Sequence, residues 1–317
     1  MLRFGLQQPS HTFQDPPGSA YRWVERIAIE AELLGYDSFW IMDHLVQIPN
    51  VATASEPILE AYVTLSAIAA KTSRIKIGSL CTSNTFRDPA LLAKMAATLD
   101  VVSGGRLFFG IGAGWFEAEH IQYGIPFFTT AERIRRLEEA VQVIKKIWTE
   151  ERATFKGRYY HINELICSPK PIQRPHPPIL IGGSGEKMTL KVVANHANAC
   201  NLFGGSEVIK HKLNVLRAHC EKIGRDYGEI LKTKLGGVVI SRTDKEAYSK
   251  LQKVRPTHIS LEQYRQQVIW GSPDRCVDEV QKLIDAGIEY LIVNFPGPYD
   301  PMNTQVFAEK VMPAFKS

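Results

Sequence analysis

The sequence predicts an α/β fold, a (β/α)8 TIM barrel with insertions, and three observations carry that prediction. Eight short apolar runs alternate with amphipathic segments along the chain, the pattern of βα units around a parallel sheet. Each run is continuous rather than alternating, as in strands covered on both faces. The rival doubly wound sheet calls for a G-x-G-x-x-G turn after its first strand. Here the first strand runs into QQPSHTFQDPPGS.

The elements follow in order. The first run, Arg3–Gln7, leads to Gln7, Gln8 and His11, and the second, Ser38–Met42, to Asp43 and His44. The third, Lys76–Cys81, passes into Thr82, Ser83 and Asn84. Residues 89–102 read as a helix with Pro89 in its first turn and Gly104-Gly105 just past its end. The fourth run, Arg106–Ile111, opens an insertion over about 112–129 that holds Gly112, Gly114, Trp115, Glu117, Glu119 and His120. Thr129 and Glu132 form a capping-box pattern for the next helix. There Ile134, Leu137, Val141, Ile144 and Trp148 recur at helical spacing, with Arg133, Arg136, Glu139 and Lys146 opposite.

Residues 150–178, rich in proline and aromatics, predict a hairpin and an extended arm. The fifth to seventh runs are Pro178–Gly182, Ala199–Leu202 and Thr233–Ile240. Polar helical material at 242–272 reads as an excursion before the eighth run, Tyr290–Asn294. No linker, repeat or low-complexity tract divides the chain, so one domain over 1–317 is expected.

Composition narrows the function. With 38 Lys+Arg against 33 Asp+Glu and no basic run, the +5 charge suits an acidic small molecule and not a nucleic-acid surface. Five scattered cysteines without C-x-x-C read as reduced thiols, neither a disulfide frame nor a metal site. No secretion signal or membrane-length apolar stretch is evident, so the cytoplasm is expected.

In such a barrel the chemistry lies just after the strands. His44 is the acid/base candidate because imidazole titrates near neutrality, with Asp43 as an acidic neighbour. A strand-end histidine bonded to a carbonyl is the plainer alternative, and Asp43 is equally suited to cap a helix. The turns Gly182-Gly183-Ser184-Gly185 and Phe203-Gly204-Gly205-Ser206 expose backbone amides before a helix, which suits a phosphate. The alternative there is a tight βα turn with Ser184 as cap. The stretch LFFGIGAGWFEAEH has alternate glycines but follows the fourth run, so it is not a dinucleotide loop.

Four stretches, YDSFWIMDH (36–44), KIGSLCTSNTFRDPALLAKMAATLDVVSGGRLFFGIGAGW (76–115), TAERIRRLEEAVQVIKKIWTEERATFKGRYY (130–160) and PKPIQRPHPPILIGGSG (169–185), resemble the bacterial-luciferase-like superfamily of flavin and deazaflavin enzymes. The similarity is greatest to the branch that uses coenzyme F420, and it covers residues 1 to about 240 well. The resemblance implies an oxidoreductase that moves a hydride between the deazaflavin and a small organic substrate, with His44 handling the proton. Asp43 and His44 would lie near the ring, and Leu80-Cys81-Thr82 would carry a non-prolyl cis peptide against it. Asn84 and Gly112 belong to strand ends that would face the ring, and the two glycine turns would hold the phosphate. Lys187 and Lys210 would line a basic groove for the acidic tail.

One departure concerns the glucose-6-phosphate dehydrogenases of this superfamily, in which a glutamate follows the glycine matching Gly114. Here that residue is Trp115, which argues against a sugar phosphate and leaves Glu117 or Glu119 as substitutes. The alternatives are an FMN-dependent monooxygenase using reduced flavin and dioxygen, and a non-catalytic flavin-binding protein. Phe13, Trp115, Phe116, Phe127 and Phe128 would form an apolar substrate wall, or packing under the insertion, or a subunit contact. A homodimer is expected, without nucleic acid or membrane as partner.

Overall fold

Eight parallel strands close into a barrel because the third is broken in two and each piece serves a different neighbour. The computed structural model describes residues 2–11 and 17–315. The strands are β1 (Arg3–Gln8), β2 (Ser38–Ile41), β3 (Lys76–Ser79), β4 (Thr82–Ser83), β5 (Phe109–Gly112), β6 (Ala153–Lys156), β7 (His161–Leu165), β8 (Ile179–Gly182), β9 (Ala199–Leu202), β10 (Leu231–Ile240), β11 (Ile269–Gly271) and β12 (Tyr290–Asn294). The helices are α1 (Ala20–Leu33), α2 (Ala61–Ala69), α3 (Pro89–Val102), α4 (Glu117–Gln122), α5 (Thr130–Thr149), α6 (Thr189–His196), α7 (Ser206–Ile223), α8 (Asp244–Val254), α9 (Leu261–Gln267), α10 (Pro273–Asp285) and α11 (Pro301–Val306).

Hydrogen bonding runs β3-β2-β1-β12-β10-β9-β8-β5-β4. β3 pairs with β2 up to Ile41 opposite Ser79, and β4 pairs with β5 through Thr82 opposite Ile111. A single bridge, Ile77 to Leu107, ties β3 to the start of the fourth run. Between the two pieces the Leu80 N–H donates to the Ile41 carbonyl at 2.8 Å and the Leu80-Cys81 peptide bond is cis. The expected continuous strand Lys76–Cys81 is therefore split, because its end crosses from one neighbour to the other.

Side chains alternate between two layers. Outward residues of the strands join the helices in the large core, while Trp40, Leu80, Phe108, Leu180, Ala199, Tyr290 and Ile292 form a separate cluster inside the barrel. Trp40, fully buried, fills the axis. Three inward glycines make room for it or for adjoining backbone. A Cβ on Gly78 would fall 2.6 Å from the Trp40 ring, one on Gly5 2.9 Å from its Nε1, and one on Gly110 2.1 Å from the Ser79 carbonyl. Those contacts are far inside van der Waals range, so these positions exclude any larger residue.

Some expected boundaries shift. The fourth strand begins at Phe109, and Arg106 instead donates to the carbonyls of Ala69 at the end of α2 and of Thr72 and Ile75 in the connection to β3. α5 buries its apolar stripe as expected, but Arg133, expected on the polar face, is buried and donates to the Gly114 carbonyl at 3.1 Å. The reason is its place in the first turn, where the insertion folds back over the helix. The hairpin at 150–178 is β6 with β7. Its arm is clamped by the buried Asp100 of α3, which accepts from the Ile172 and Gln173 backbone N–H groups at 2.7 and 3.0 Å. The excursion after β10 contains α8, α9 and an additional strand, β11, parallel to Val238–Ile240.

Candidate active site

The mouth at the C-terminal ends of the strands is built first by backbone contacts of the broken strand. Gln7 donates from Nε2 to the Leu80 carbonyl at 3.3 Å, and Asn294 in turn donates from Nδ2 to Gln7 Oε1 at 2.9 Å. Three strands thus fix the floor beside Leu80. On the far side, a Cβ on Gly182 would lie 2.5 Å from Cys81 Sγ, so a larger residue there would displace the Cys81 side chain where the Leu80-Cys81 segment meets β8. Burial pushes the Cys81 thiol up to about 12, which keeps it protonated and removes it as a nucleophile.

Asp43 and His44 are adjacent but serve separate partners. The Asp43 carboxylate takes the Arg87 guanidinium in a bidentate pair at 2.8 and 2.9 Å and the Ser83 N–H at 2.9 Å. Arg87 also reaches Glu60 and lies over the Tyr62 ring. Burial drives the Asp43 carboxyl upward, and Arg87 and the Ser83 amide oppose it. Burial alone would lower Arg87, but the hydrogen bonds and charge of Asp43 carry it upward overall, so the guanidinium stays charged and the two hold as an ion pair. Asp43 caps no helix, and it is not the acid that meets His44.

That acid is Glu119. His44 Nδ1 lies 2.9 Å from Glu119 Oε1, and the Leu45 N–H donates to Glu119 Oε2 at 2.9 Å. The Glu119 side chain is 2% exposed and that of His44 14%. Glu119 reaches His44 because α4 packs its inner face on the mouth. The adjacent His120 is wholly buried, with its ring nitrogens on the Phe116 carbonyl and the Thr85 hydroxyl, both at 2.7 Å. Glu117, in the first turn of the same helix, is exposed and does not meet His44.

The aromatic set divides. Trp115 and Phe116 stand edge-on to the His44 ring, with centroids 5.7 and 6.2 Å away. Phe127 packs on His120, and Phe128 lies under Arg136, so both belong to the packing beneath the insertion. Phe13 lies outside the described residues. His11 is buried, accepts the Leu59 N–H on Nδ1 at 2.8 Å, and is lowered to about 4 by desolvation. It is a neutral anchor for the loop before α2.

The two glycine turns differ from each other. After Gly182-Gly183-Ser184-Gly185 come three turn residues before α6 begins at Thr189, so Ser184 caps no helix and the turn does not sit at a helix N-terminus. In the second turn, after the exposed Phe203, Gly205 is the N-cap and Ser206 the first residue of the long helix α7. Gly183 and Gly204 both have positive φ, at 120° and 114°. Lys187 and Lys210 are exposed nearby, and Glu186 ties Lys212 and His211.

Buried polar atoms after the strands that remain without partners among the described residues include Asn84 Oδ1, Asn201 Nδ2 and His11 Nε2. Buried groups in that state are costly unless something bonds them. An acceptor and a donor at strand ends fit a planar heteroaromatic ring carrying both kinds of atom. Thr82, whose hydroxyl bonds that of Tyr62 at 2.9 Å, and Gly112, where a Cβ would lie 3.7 Å from both Cys81 Cβ and the Gly182 carbonyl, complete that wall. Arg87, Asn201 and Asn294 are the mouth residues that strand-end inspection overlooked. Asn294 closes its own apolar run and Asn201 is the one polar side chain within Ala199–Leu202, a signal that was present in the sequence. A cavity of about 300 Å³ lined by Arg3, Glu32, Asp37, Arg74, Lys76 and Tyr290 opens at the opposite, N-terminal end of the barrel.

Comparison with known proteins bears on the family and the fold. The model of a family described as luciferase-like monooxygenase matches residues 2–290. The chain is 29% identical over 341 residues, 99% of its own length and 97% of the relative's, to the F420-dependent glucose-6-phosphate dehydrogenase of Kineococcus radiotolerans. It is 34% identical over 196 residues, 61% of its length and 52% of the relative's, to the FMNH(2)-dependent dimethylsulfone monooxygenase of Pseudomonas putida. The solved F420-dependent tetrahydromethanopterin reductase of Methanopyrus kandleri superposes with a TM-score of 0.82 at 20% identity, covering 99% of each chain.

Proposed function

Because the chain belongs to the luciferase-like monooxygenase family, we propose that it is an F420-dependent oxidoreductase acting on a small organic substrate. The observation that carries this reading is the mouth itself, where the broken third strand, the unpartnered Asn84 and Asn201 atoms and His44 converge. F420 is favoured over FMN because the match to the F420-dependent relative extends over 99% of this chain, whereas the FMNH(2)-dependent one is matched over 61%.

When bound, the deazaflavin supplies a carbon that accepts or gives a hydride. Asn84 and Asn201 would hold its ring, with Leu80, Cys81 and Thr82 forming the wall behind it. Gly204, Gly205 and Ser206 would take the phosphate at the start of α7, where free N–H groups and the helix dipole favour an anion. The turn at Gly182-Gly183-Ser184-Gly185 gives close backbone approach beside it. His44 would exchange the proton that accompanies the hydride, with Trp115 and Phe116 edge-on to its ring and flanking that face. Glu117 is not assigned a role. With the exposed indole of Trp115 at the mouth, a sugar phosphate is not proposed as substrate.

The reading is tested by titrating the apoprotein with F420 and with FMN while following cofactor fluorescence. A tighter response to F420 is expected. An equal or tighter response to FMN would transfer the reading to the monooxygenase alternative, and silence with both would overturn it.

A further inference from the structure

Glu119 faces two groups, and one of them has no choice of role. The Leu45 backbone N–H is a donor under all conditions, and it occupies Oε2 at 2.9 Å. An ionised carboxylate offers acceptors only, so the ring nitrogen 2.9 Å from Oε1 must carry a hydrogen. That nitrogen is Nδ1 of His44. In the neutral ring the second nitrogen, Nε2, then holds a lone pair. It has no protein hydrogen bond among the described residues. Glu119 is 2% exposed and Trp115 and Phe116 flank the ring, so His44 has little freedom to turn away.

We infer that Glu119 is a positioning residue that fixes His44 as the Nδ1–H tautomer, so that Nε2 meets the substrate as a proton acceptor. This rests on the proposed role of His44 in proton exchange. The step itself is simple: a substrate O–H or N–H gives its proton to Nε2, the ring becomes an imidazolium, and the unchanged Nδ1–H to Oε1 bond places the new charge beside a carboxylate. A mere packing acid at this position would leave the tautomer indifferent to its replacement.

The discriminating variant is Glu119→Gln, which keeps the shape. Its amide has one acceptor oxygen and one NH2 donor. The Leu45 N–H requires the oxygen, which turns the NH2 toward Nδ1 and forces that nitrogen to accept. The ring must switch to the Nε2–H form. In apoprotein labelled with 15N-histidine, the wild-type His44 signals at a pH where the ring is neutral should be those of Nδ1–H, and those of the variant Nε2–H. Carbethoxylation of His44 by diethyl pyrocarbonate, which needs a free ring lone pair, should slow about 10-fold or more in the variant because the remaining lone pair is enclosed. In the loaded enzyme turnover should fall ~100-fold or more with cofactor affinity within about twofold, between the loss of up to about 100-fold when a histidine loses its orienting partner and that of about 10⁴ when it is held in the wrong tautomer.

An unchanged Nδ1–H signal together with an unchanged carbethoxylation rate would overturn the assignment of Glu119. The switched tautomer with full turnover would uphold the geometry and overturn the role of His44. Failure of the wild-type chain to bind any flavin or deazaflavin would overturn the proposed function and leave the tautomer result standing.

Discussion

Replacing Arg87 by methionine leaves the Asp43 carboxylate, 1% exposed, with only the Ser83 N–H as partner. Breaking one half of a buried pair costs about 3–5 kcal/mol, and a guanidinium chloride midpoint should register that loss. Asp43→Asn in the same chain should recover part of it. Two other buried groups carry a pH signature. His11 is lowered from 6.5 to about 4, so the folded state favours its neutral form. The stability it contributes is complete above pH 6.5 and is lost as pH falls through that value toward about 4. His11→Gln, which keeps an acceptor for Leu59, should flatten the unfolding free energy over that window by about 3 kcal/mol. Lys234 is lowered to about 8 by desolvation, with one carbonyl, that of Leu235, on its ammonium. Its burial penalty is complete below pH 8 and absent above 10.5. Lys234→Met should therefore stabilise the fold by about 1–3 kcal/mol at pH 7, the gain vanishing in alkali. The sequence made Asp43 and His44 visible by their place after a strand, but not their partners. Glu119 and Arg87 lie 75 and 44 positions along the chain, and such pairings exist only once the barrel has closed.

Elements with a long period were legible, and short ones were not. α5 repeats its apolar stripe over 20 residues, and Thr129 does cap it, accepting the Glu132 N–H at 3.3 Å. Thr129→Ala should cost about 1 kcal/mol in thermal or denaturant unfolding. α4 has only six residues, too few for a moment to tell which acid turns inward. Its inner face is settled by His120, wedged between Phe86 and Phe127. The break between β3 and β4 was likewise hidden within one apolar run, because both halves consist of residues that suit a strand. Only the resemblance pointed to an irregularity at Leu80-Cys81-Thr82. At Gly110 the demand is steric: alanine there would drive its Cβ into the Ser79 carbonyl. Gly110→Ala should lower stability by about 3 kcal/mol or more and loosen the seam between β3 and β5, readable as faster amide exchange at Leu107 and Phe108.

At the scale of the whole molecule, the strand order returns on itself and the mouth lies on the seam where it does so. On the proposed reading a ligand held there would bridge β4, β5, β8 and β9, and so would bind the folded state alone. F420 at 100 times its Kd should add about 2.7 kcal/mol to stability, seen as a higher midpoint in a thermal melt. An FMN titration run in parallel provides the contrast. The alternation of runs and helices sufficed for the barrel, since that pattern repeats along the entire chain. What it left open was the axis. Trp40 and the glycines at 5, 78 and 110 come from four different strands, yet their dimensions are mutually dependent. In lineages descended from a common ancestor, a smaller residue at the tryptophan position should appear together with side chains at one or more of those glycines. Above this plug the loops of the mouth can be rewritten for new substrates, and below it the opposite opening can drift, each with little record in the other. One indole thus divides a single barrel into two surfaces with separate histories.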